Sequence, residues 1–312
     1  MPPKRRPGLA IRRGSAQMGR MTQIDRTPGR LVVAGLGYSG GAVAAEAVAA
    51  GWQVTGTARD PDHAAPPLGV AVIGFAAAGE AIGAATHLLV TAAPGEAGDP
   101  VLAAHAAAIR AAPALRWIGY LSTTGVYGDR GGDWVDEATP PAPGQARSRQ
   151  RLAAEEAWSR LADRRAIDIF RVGGIYGPGR SAFDDLRAGT ARRTLKPGHR
   201  FSRIHRADIA LAVLAALRQE RPPGRRILHL VDDAPVENAT VMEAAAALLG
   251  LPPPPALPFA EAAATMSPMA RSFWAENRLV ANAATKVALG ITWRYPSWRE
   301  GLRAILAEER GG

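Results

Sequence analysis

Three glycines spaced as Gly35-x-Gly37-x-x-Gly40 constrain this chain more than any other stretch, because of what flanks them. Leu31-Val32-Val33-Ala34 is a short apolar run of strand type, and residues 41–51 form an alanine-rich run of helical type. A strand that breaks at such a turn and passes straight into a helix is shaped to take the pyrophosphate of a dinucleotide. Gly35 permits the turn, Gly37 lets the backbone approach a phosphate, and Gly40 lets the helix pack on the strand. The free N–H groups and positive dipole end of the helix then aim at the phosphates. With 34 glycines in the chain the spacing alone discriminates weakly. The context carries the reading, since Gly51 closes the helix and residues 52–57 supply a second strand. Gly35, Leu36, Gly37, Tyr38, Ser39 and Gly40 are the candidate cofactor loop.

The pattern continues with strands predicted at residues 70–75, 86–94, 117–122 and 167–172, separated by helical stretches such as 101–111. Strand and helix in alternation mean a parallel sheet covered on both faces, an α/β fold. Ligands of such sheets sit beyond the carboxyl ends of the strands, which selects Arg59, Ala92, Ala93, Ser122, Thr123, Thr124 and Gly173. After residue 172 the alternation loosens. Helices at 207–218 and 239–249, a strand at 226–231, a proline spacer at 252–255 and a final helix at 298–309 suggest a smaller C-terminal lobe. The expected division is a basic disordered tail over 1–29, a dinucleotide-binding core over 30–178, and a substrate lobe over 179–312 interleaved with the last sheet strands.

Composition narrows the class further. A chain of 312 residues with 47% hydrophobic content can bury a large core, and no run approaches the ~18 apolar residues of a membrane helix. That absence of a membrane run makes a soluble protein the expectation, and the lack of cysteine excludes disulfides and thiolate chemistry and is compatible with the expected cytoplasmic location without determining it. The net charge of +10 invites a nucleic-acid reading, but eight of the 38 basic residues and only one of the 28 acidic ones lie within residues 1–30. The rest of the chain is nearly balanced, so nucleic acid is not an expected partner. That tail lacks the apolar region of a secretory signal, and Met1, Met18 and Met21 are all candidate starts. The six histidines are scattered without metal-ligand spacing, so no metal is expected.

Four further segments carry a family resemblance. They are Leu121-Ser122-Thr123-Thr124-Gly125-Val126-Tyr127-Gly128-Asp129, Trp134-Val135-Asp136-Glu137-Ala138-Thr139-Pro140-Pro141, Arg171-Val172-Gly173-Gly174-Ile175-Tyr176-Gly177-Pro178-Gly179-Arg180, and Arg203-Ile204-His205-Arg206-Ala207-Asp208-Ile209-Ala210. In this order the chain resembles the extended short-chain dehydrogenase/reductase superfamily, in its epimerase/dehydratase branch, over residues 31 to about 310. The resemblance implies a Rossmann fold, a doubly wound parallel sheet with a small C-terminal substrate lobe.

It also implies a Tyr-x-x-x-Lys pair on the helix after the fifth strand, where the tyrosine moves the proton that accompanies hydride transfer. Aligned on Glu155, those positions hold Arg147 and Arg151. No tyrosine lies between Tyr127 and Tyr176, and the only lysines are Lys4, Lys196 and Lys286, so no shift of register restores the pair. Arginine stays protonated and exchanges no proton at neutral pH. Arg151 can keep the structural half of the lysine's role at the cofactor. The chain therefore resembles the atypical members that lack the pair. It also has Ala34 where the extended family's first glycine would stand.

Ser122 and Thr123 remain as groups that can hydrogen-bond a substrate carbonyl or hydroxyl. Tyr127 is a candidate proton carrier or a loop-packing residue. Thr124, Arg180, Arg203 and His205 are candidate substrate contacts. The expected function is an NAD(P)-binding oxidoreductase or epimerase-like activity on a hydroxyl- or carbonyl-bearing small molecule, with nucleotide sugars among the candidates. The alternative is a dinucleotide-binding sensor or scaffold with little turnover. NADP is expected over NAD, because Arg59 follows the second strand where a guanidinium can meet a 2′-phosphate. Pairing of Arg59 with Asp60 or Asp62 is the competing reading.

Overall fold

The computed structural model describes residues 29–311. The basic segment up to residue 28, with Met1, Met18 and Met21, lies outside them. Seven parallel strands form the frame: β1 (Arg30–Ala34), β2 (Gln53–Ala58), β3 (Val70–Gly74), β4 (His87–Val90), β5 (Trp117–Thr123), β6 (Ala166–Val172) and β7 (Gly224–Leu230). They lie side by side in the order β7-β6-β5-β4-β1-β2-β3. The chain reverses its direction of winding between β1 and β4, and the loop at Gly35 leaves the sheet at that point.

Period-two alternation builds the two faces. Leu31 and Val33 of β1 point to one side, where α1 (Tyr38–Ala49) and α6 (Arg206–Leu217) pack through Val43, Ala44, Ala47, Ala210, Val213 and Leu217. Val32 and Ala34 point to the other, toward α2 (Ala78–Ala84), α3 (Pro100–Ala111) and α4 (Ala146–Ser159), whose Ile82, Ile109 and Trp158 are fully buried. Alanines at the α1–α6 contact let the two backbones approach closely. The result is the Rossmann arrangement.

Beyond β6 the chain adds α5 (Ala182–Arg187), α7 (Asn238–Leu249), α8 (Phe259–Thr265), α9 (Pro268–Phe273), α10 (Ala283–Leu289) and α11 (Trp298–Gly311). A separate cluster of Phe183, Val241, Met242, Trp298, Leu302 and Ile305 holds α5, α7 and α11 together. Short parallel ribbons tie these parts to the sheet, Gly174–Tyr176 with Arg203–His205 and Trp134–Val135 with Leu279–Val280. The strand expected at 226–231 is β7, an edge strand of the main sheet paired with β6 along its whole length. Phe75 leaves the third strand and opens a 3₁₀ turn. Helices α8 and α9, past the proline spacer, are too short to show a period in the sequence. No helix among the described residues is long and apolar enough to cross a membrane.

Candidate functional site

The turn after β1 is built as its glycines require. Gly35 has φ +115°, and a Cβ there would stand 2.6 Å from Thr91 Oγ1, while a Cβ on Gly40 would collide with the Gly35 carbonyl. Both glycines are needed for the fold itself. Gly37 differs, because it is exposed and a Cβ there would meet nothing among the described residues within 4 Å. It is the N-cap of α1, and no side chain caps the helix. The Leu36 N–H donates to the Thr57 carbonyl at 3.0 Å, and that of Ala92 to the Ala34 carbonyl at 3.2 Å, which fixes the loop between the ends of β2 and β4. Tyr38 donates to the Pro178 carbonyl at 3.1 Å, and the guanidinium groups of Arg180 and Arg206 lie over its ring at 5.7 and 4.9 Å. An exposed glycine at the start of an uncapped helix, at the point where the sheet's winding reverses, suits a dinucleotide's phosphates. At the end of β2, Arg59 is exposed, and Asp60 is taken by His63 at 2.8 Å. Among the described residues Arg59 has no ion pair with Asp60 or Asp62.

At the carboxyl ends of β4, β5 and β6 a cleft of about 470 Å³ opens toward the C-terminal part. It brings together Ala93, Ser122, Thr123, Thr124, Arg151, Gly173 and Arg180 of the expected set. It also holds residues that the strand-end rule does not reach: Gln145 at the N-cap of α4, Arg147 and Ser148 within it, Arg200 to Ser202, and Ser272, Phe273, Glu276 and Arg278 from the segment around α9. For Arg147 the signal was its register on α4. For Glu276 and Arg278 no local pattern existed, because a long-range crossover carries them to the cleft.

Behind the cleft lies a buried ion pair. Glu155, 2% exposed, accepts from Arg171 Nη2 at 2.7 Å and from its Nε at 3.2 Å, and the Ser122 hydroxyl donates to the same carboxylate. Because that proton is committed, Ser122 can only accept from a ligand. Of its two expected partners, a carbonyl or a hydroxyl, this leaves Ser122 the acceptor role, suited to a hydroxyl. The Thr123 oxygen accepts the Gly125 N–H at 3.1 Å, and among the described residues its hydroxyl proton has no acceptor.

Three expected contacts lie elsewhere. Tyr127 is wholly buried, with Arg171 Nη1 donating to its oxygen at 2.7 Å and its hydroxyl shared between His229 Nε2 at 2.6 Å and the Asp136 carbonyl at 3.0 Å. Burial pushes it up to about 12, so it is a packing residue of the loop and not a proton carrier of the cleft. His205 caps α6 by accepting the Ala207 N–H at 3.2 Å, with its ring between Tyr176 and Tyr295. Burial, with Arg206 and Arg294 nearby, lowers it to about 4, which leaves it neutral and out of the cleft. Arg203 lines a second cavity of about 340 Å³ beneath α5, α7 and α11, and donates to the Phe201 and Val236 carbonyls at 3.1 Å.

Beside Arg203, burial pushes the Asp232 carboxyl up to about 7, only partly offset by the Ala234 N–H and by Arg203. Its unfolded value is near ~3.9, so the stabilising neutral form is complete below pH ~4 and is lost as pH rises through about 7. Asp232→Asn should therefore gain stability relative to the native protein between pH 4 and pH 7, as read from urea midpoints. A pH-independent difference would contradict the assignment.

Arg147 and Arg151 both line the cleft, on the helix where the resemblance puts a proton-transfer pair. Arg151 donates to the Leu121 carbonyl at 2.8 Å and the Tyr120 hydroxyl at 3.2 Å. Among the described residues that line it, only Glu276 is a carboxylate, and none is a histidine, tyrosine or lysine.

No family model matches the chain. A conserved protein of unknown function from Silicibacter pomeroyi is 41% identical and superposes with a TM-score of 0.81 over 90% of this chain and 99% of that one. A protein from Methylobacillus flagellatus assigned as an NAD-dependent epimerase/dehydratase is 25% identical, with a TM-score of 0.70 over 90% and 99% of the two chains. A 3-diazoavenalumate denitrifying reductase from a Streptomyces species is 32% identical over 181 residues, 54% of this chain. The match spans 58% of that relative's length.

Proposed function

The chain is an atypical member of the extended short-chain dehydrogenase/reductase superfamily, and from that premise we propose that it binds NADP, or less tightly NAD, and acts as an oxidoreductase or epimerase-like protein on a hydroxyl- or carbonyl-bearing small molecule. The observation that carries this reading is the Gly35–Gly40 turn, with Gly37 open to solvent at the uncapped start of α1 beside the cleft. These residues fit a dinucleotide. The cofactor would supply or accept hydride, and an epimerase/dehydratase and a reductase among the similar proteins support that chemistry. This chain's own part is to bind and orient: the α1 start holds phosphates, Ser122 accepts from a ligand hydroxyl, and Thr123 donates to a ligand oxygen.

Arg59 supports NADP over NAD. Titrating NADPH and NADH by nucleotide fluorescence should show tighter NADPH binding to the native protein. Arg59→Ala should lose that preference, weakening NADPH by about tenfold while NADH is little changed. An unchanged ratio would remove Arg59 from the 2′-phosphate.

A second reading, a dinucleotide-binding sensor with little turnover, is favoured by the arginines in the cleft. General acid or base help is worth about 10²–10⁴ in rate, and neither Arg147 nor Arg151 supplies it. Turnover of ordinary alcohols and sugar nucleotides should be slow, and Tyr127→Phe and His205→Ala should leave its rate unaltered in whatever fraction folds. A rate that collapsed in either variant would restore that residue as the proton carrier. Binding of NADPH with no turnover of any such substrate would favour the sensor.

A further inference from the structure

Resting on the reading of the cleft as a substrate site, we propose that its ligand is an organic anion whose carboxylate or phosphate docks on Arg147, which makes Arg147 the residue that sets substrate class. Among the described residues five arginines line the cleft, Arg147, Arg151, Arg180, Arg200 and Arg278, against one carboxylate, Glu276. These charges are not equivalent. Arg278 Nη1 takes Glu276 at 3.0 Å and the Gly128 carbonyl at 2.9 Å. Arg151 is spent on the Leu121 carbonyl and the Tyr120 hydroxyl. Arg180 stands over the ring of Tyr38 at the longer distance of 5.7 Å and also lines the second cavity, and Arg200 is exposed.

Arg147 is held differently. Its guanidinium lies 4.2 Å from the centre of the Phe273 ring and against the Met269 sulfur, so a ring and a thioether position the cation without neutralising it. A stacked guanidinium keeps its edge for acceptors, and its planar fork matches carboxylate or phosphate oxygens two at a time. Arg278 lies near enough to feel the like charge of Arg147, which adds to the effect of burial in lowering its pKa. An anion entering between these groups relieves that repulsion in a partly desolvated cleft, where charge interactions exceed their value in water. Arg147 stands on α4 in the register where the family pattern has its tyrosine, and it shares the cleft with Ser122 and Thr123. The anionic group is thus held in the same cleft as the hydroxyls. At that position the chain has an anchor for charge in place of a proton carrier.

The test uses malonate and methyl phosphate as probes, titrated by calorimetry at low ionic strength. Because the α1 start would itself attract phosphate, titrations are made in the Gly37→Val background. Saturable binding of at least one probe is expected, weakened by about tenfold or more when Arg147→Gln is added and unaffected by Arg160→Gln on the exposed end of α4. The tighter probe identifies the anion as carboxylate or phosphate. No saturable binding of either probe, or equal affinity with and without Arg147→Gln at unchanged circular dichroism, would overturn the proposal. The cofactor reading fails separately, by absence of NADPH binding to the native protein, and the anion titration does not depend on it.

Discussion

Gly37→Val should abolish NADPH binding while its circular-dichroism spectrum and urea midpoint stay close to those of the native protein. The two halves of that result have different causes. An added Cβ at Gly37 meets no atom of the described residues within 4 Å, and the position is exposed, so the turn itself does not oppose the substitution. The phosphates do, because the same exposed point at the start of α1 is where they must come close to the backbone. Losing two charge-assisted bonds from backbone N–H groups costs at least about 3 kcal/mol, or more than about a hundredfold in affinity. The result distinguishes Gly37 from Gly35 and Gly40, where replacement would disturb the turn before any ligand arrived. Undiminished affinity in a folded Gly37→Val protein would remove the dinucleotide from this loop.

A comparably large effect is expected on stability when the ion pair behind Ser122 is broken. Glu155 and Arg171 are 2% and 3% exposed, joined by three contacts of 2.7–3.3 Å. Removing one partner leaves the other charge buried without compensation. Glu155→Gln should therefore destabilise the protein by about 3–5 kcal/mol, read as a lower urea midpoint. Replacing both, as Glu155→Leu with Arg171→Met, should recover most of the loss, since a well-packed apolar pair avoids the desolvation cost. A double variant as unstable as the single would show that the hydrogen bonds to Ser122 and Tyr127, and not the uncompensated charge, carry the effect. Glu155→Gln also weakens the acceptor that holds the Ser122 proton, so any change in ligand selectivity in the folded fraction would report on that hydroxyl.

The fold was legible because its signals are local and repeat. Leu31-Val32-Val33-Ala34 alternates between two buried faces, which a parallel sheet covered on both sides requires. Six of the seven sheet strands fall where their apolar runs predict a core strand. The seventh, β7, reads as a strand of the C-terminal part with no partner legible for it, since Arg225 and Arg226 roughen its start and its partner β6 ends 52 residues before it begins. Arg226 sits beside the buried carboxylate of Asp168 at 2.9 Å, a pairing invisible along the chain.

By itself the sequence determined the sheet, the glycine turn and the loss of the Tyr-x-x-x-Lys pair, because each depends on residues within one turn or one strand of each other. Tertiary structure alone decided which side chains share the cleft. It buried Tyr127 and His205, directed Arg203 to another cavity, committed the Ser122 proton to Glu155, and brought Phe273, Glu276 and Arg278 across more than a hundred residues to face Arg147. Burial and hydrogen-bond partners set what a hydroxyl, imidazole or guanidinium can do, and those partners come from elements far apart in the chain. Residue type fixes the range of chemistry open to each group, and packing selects from that range.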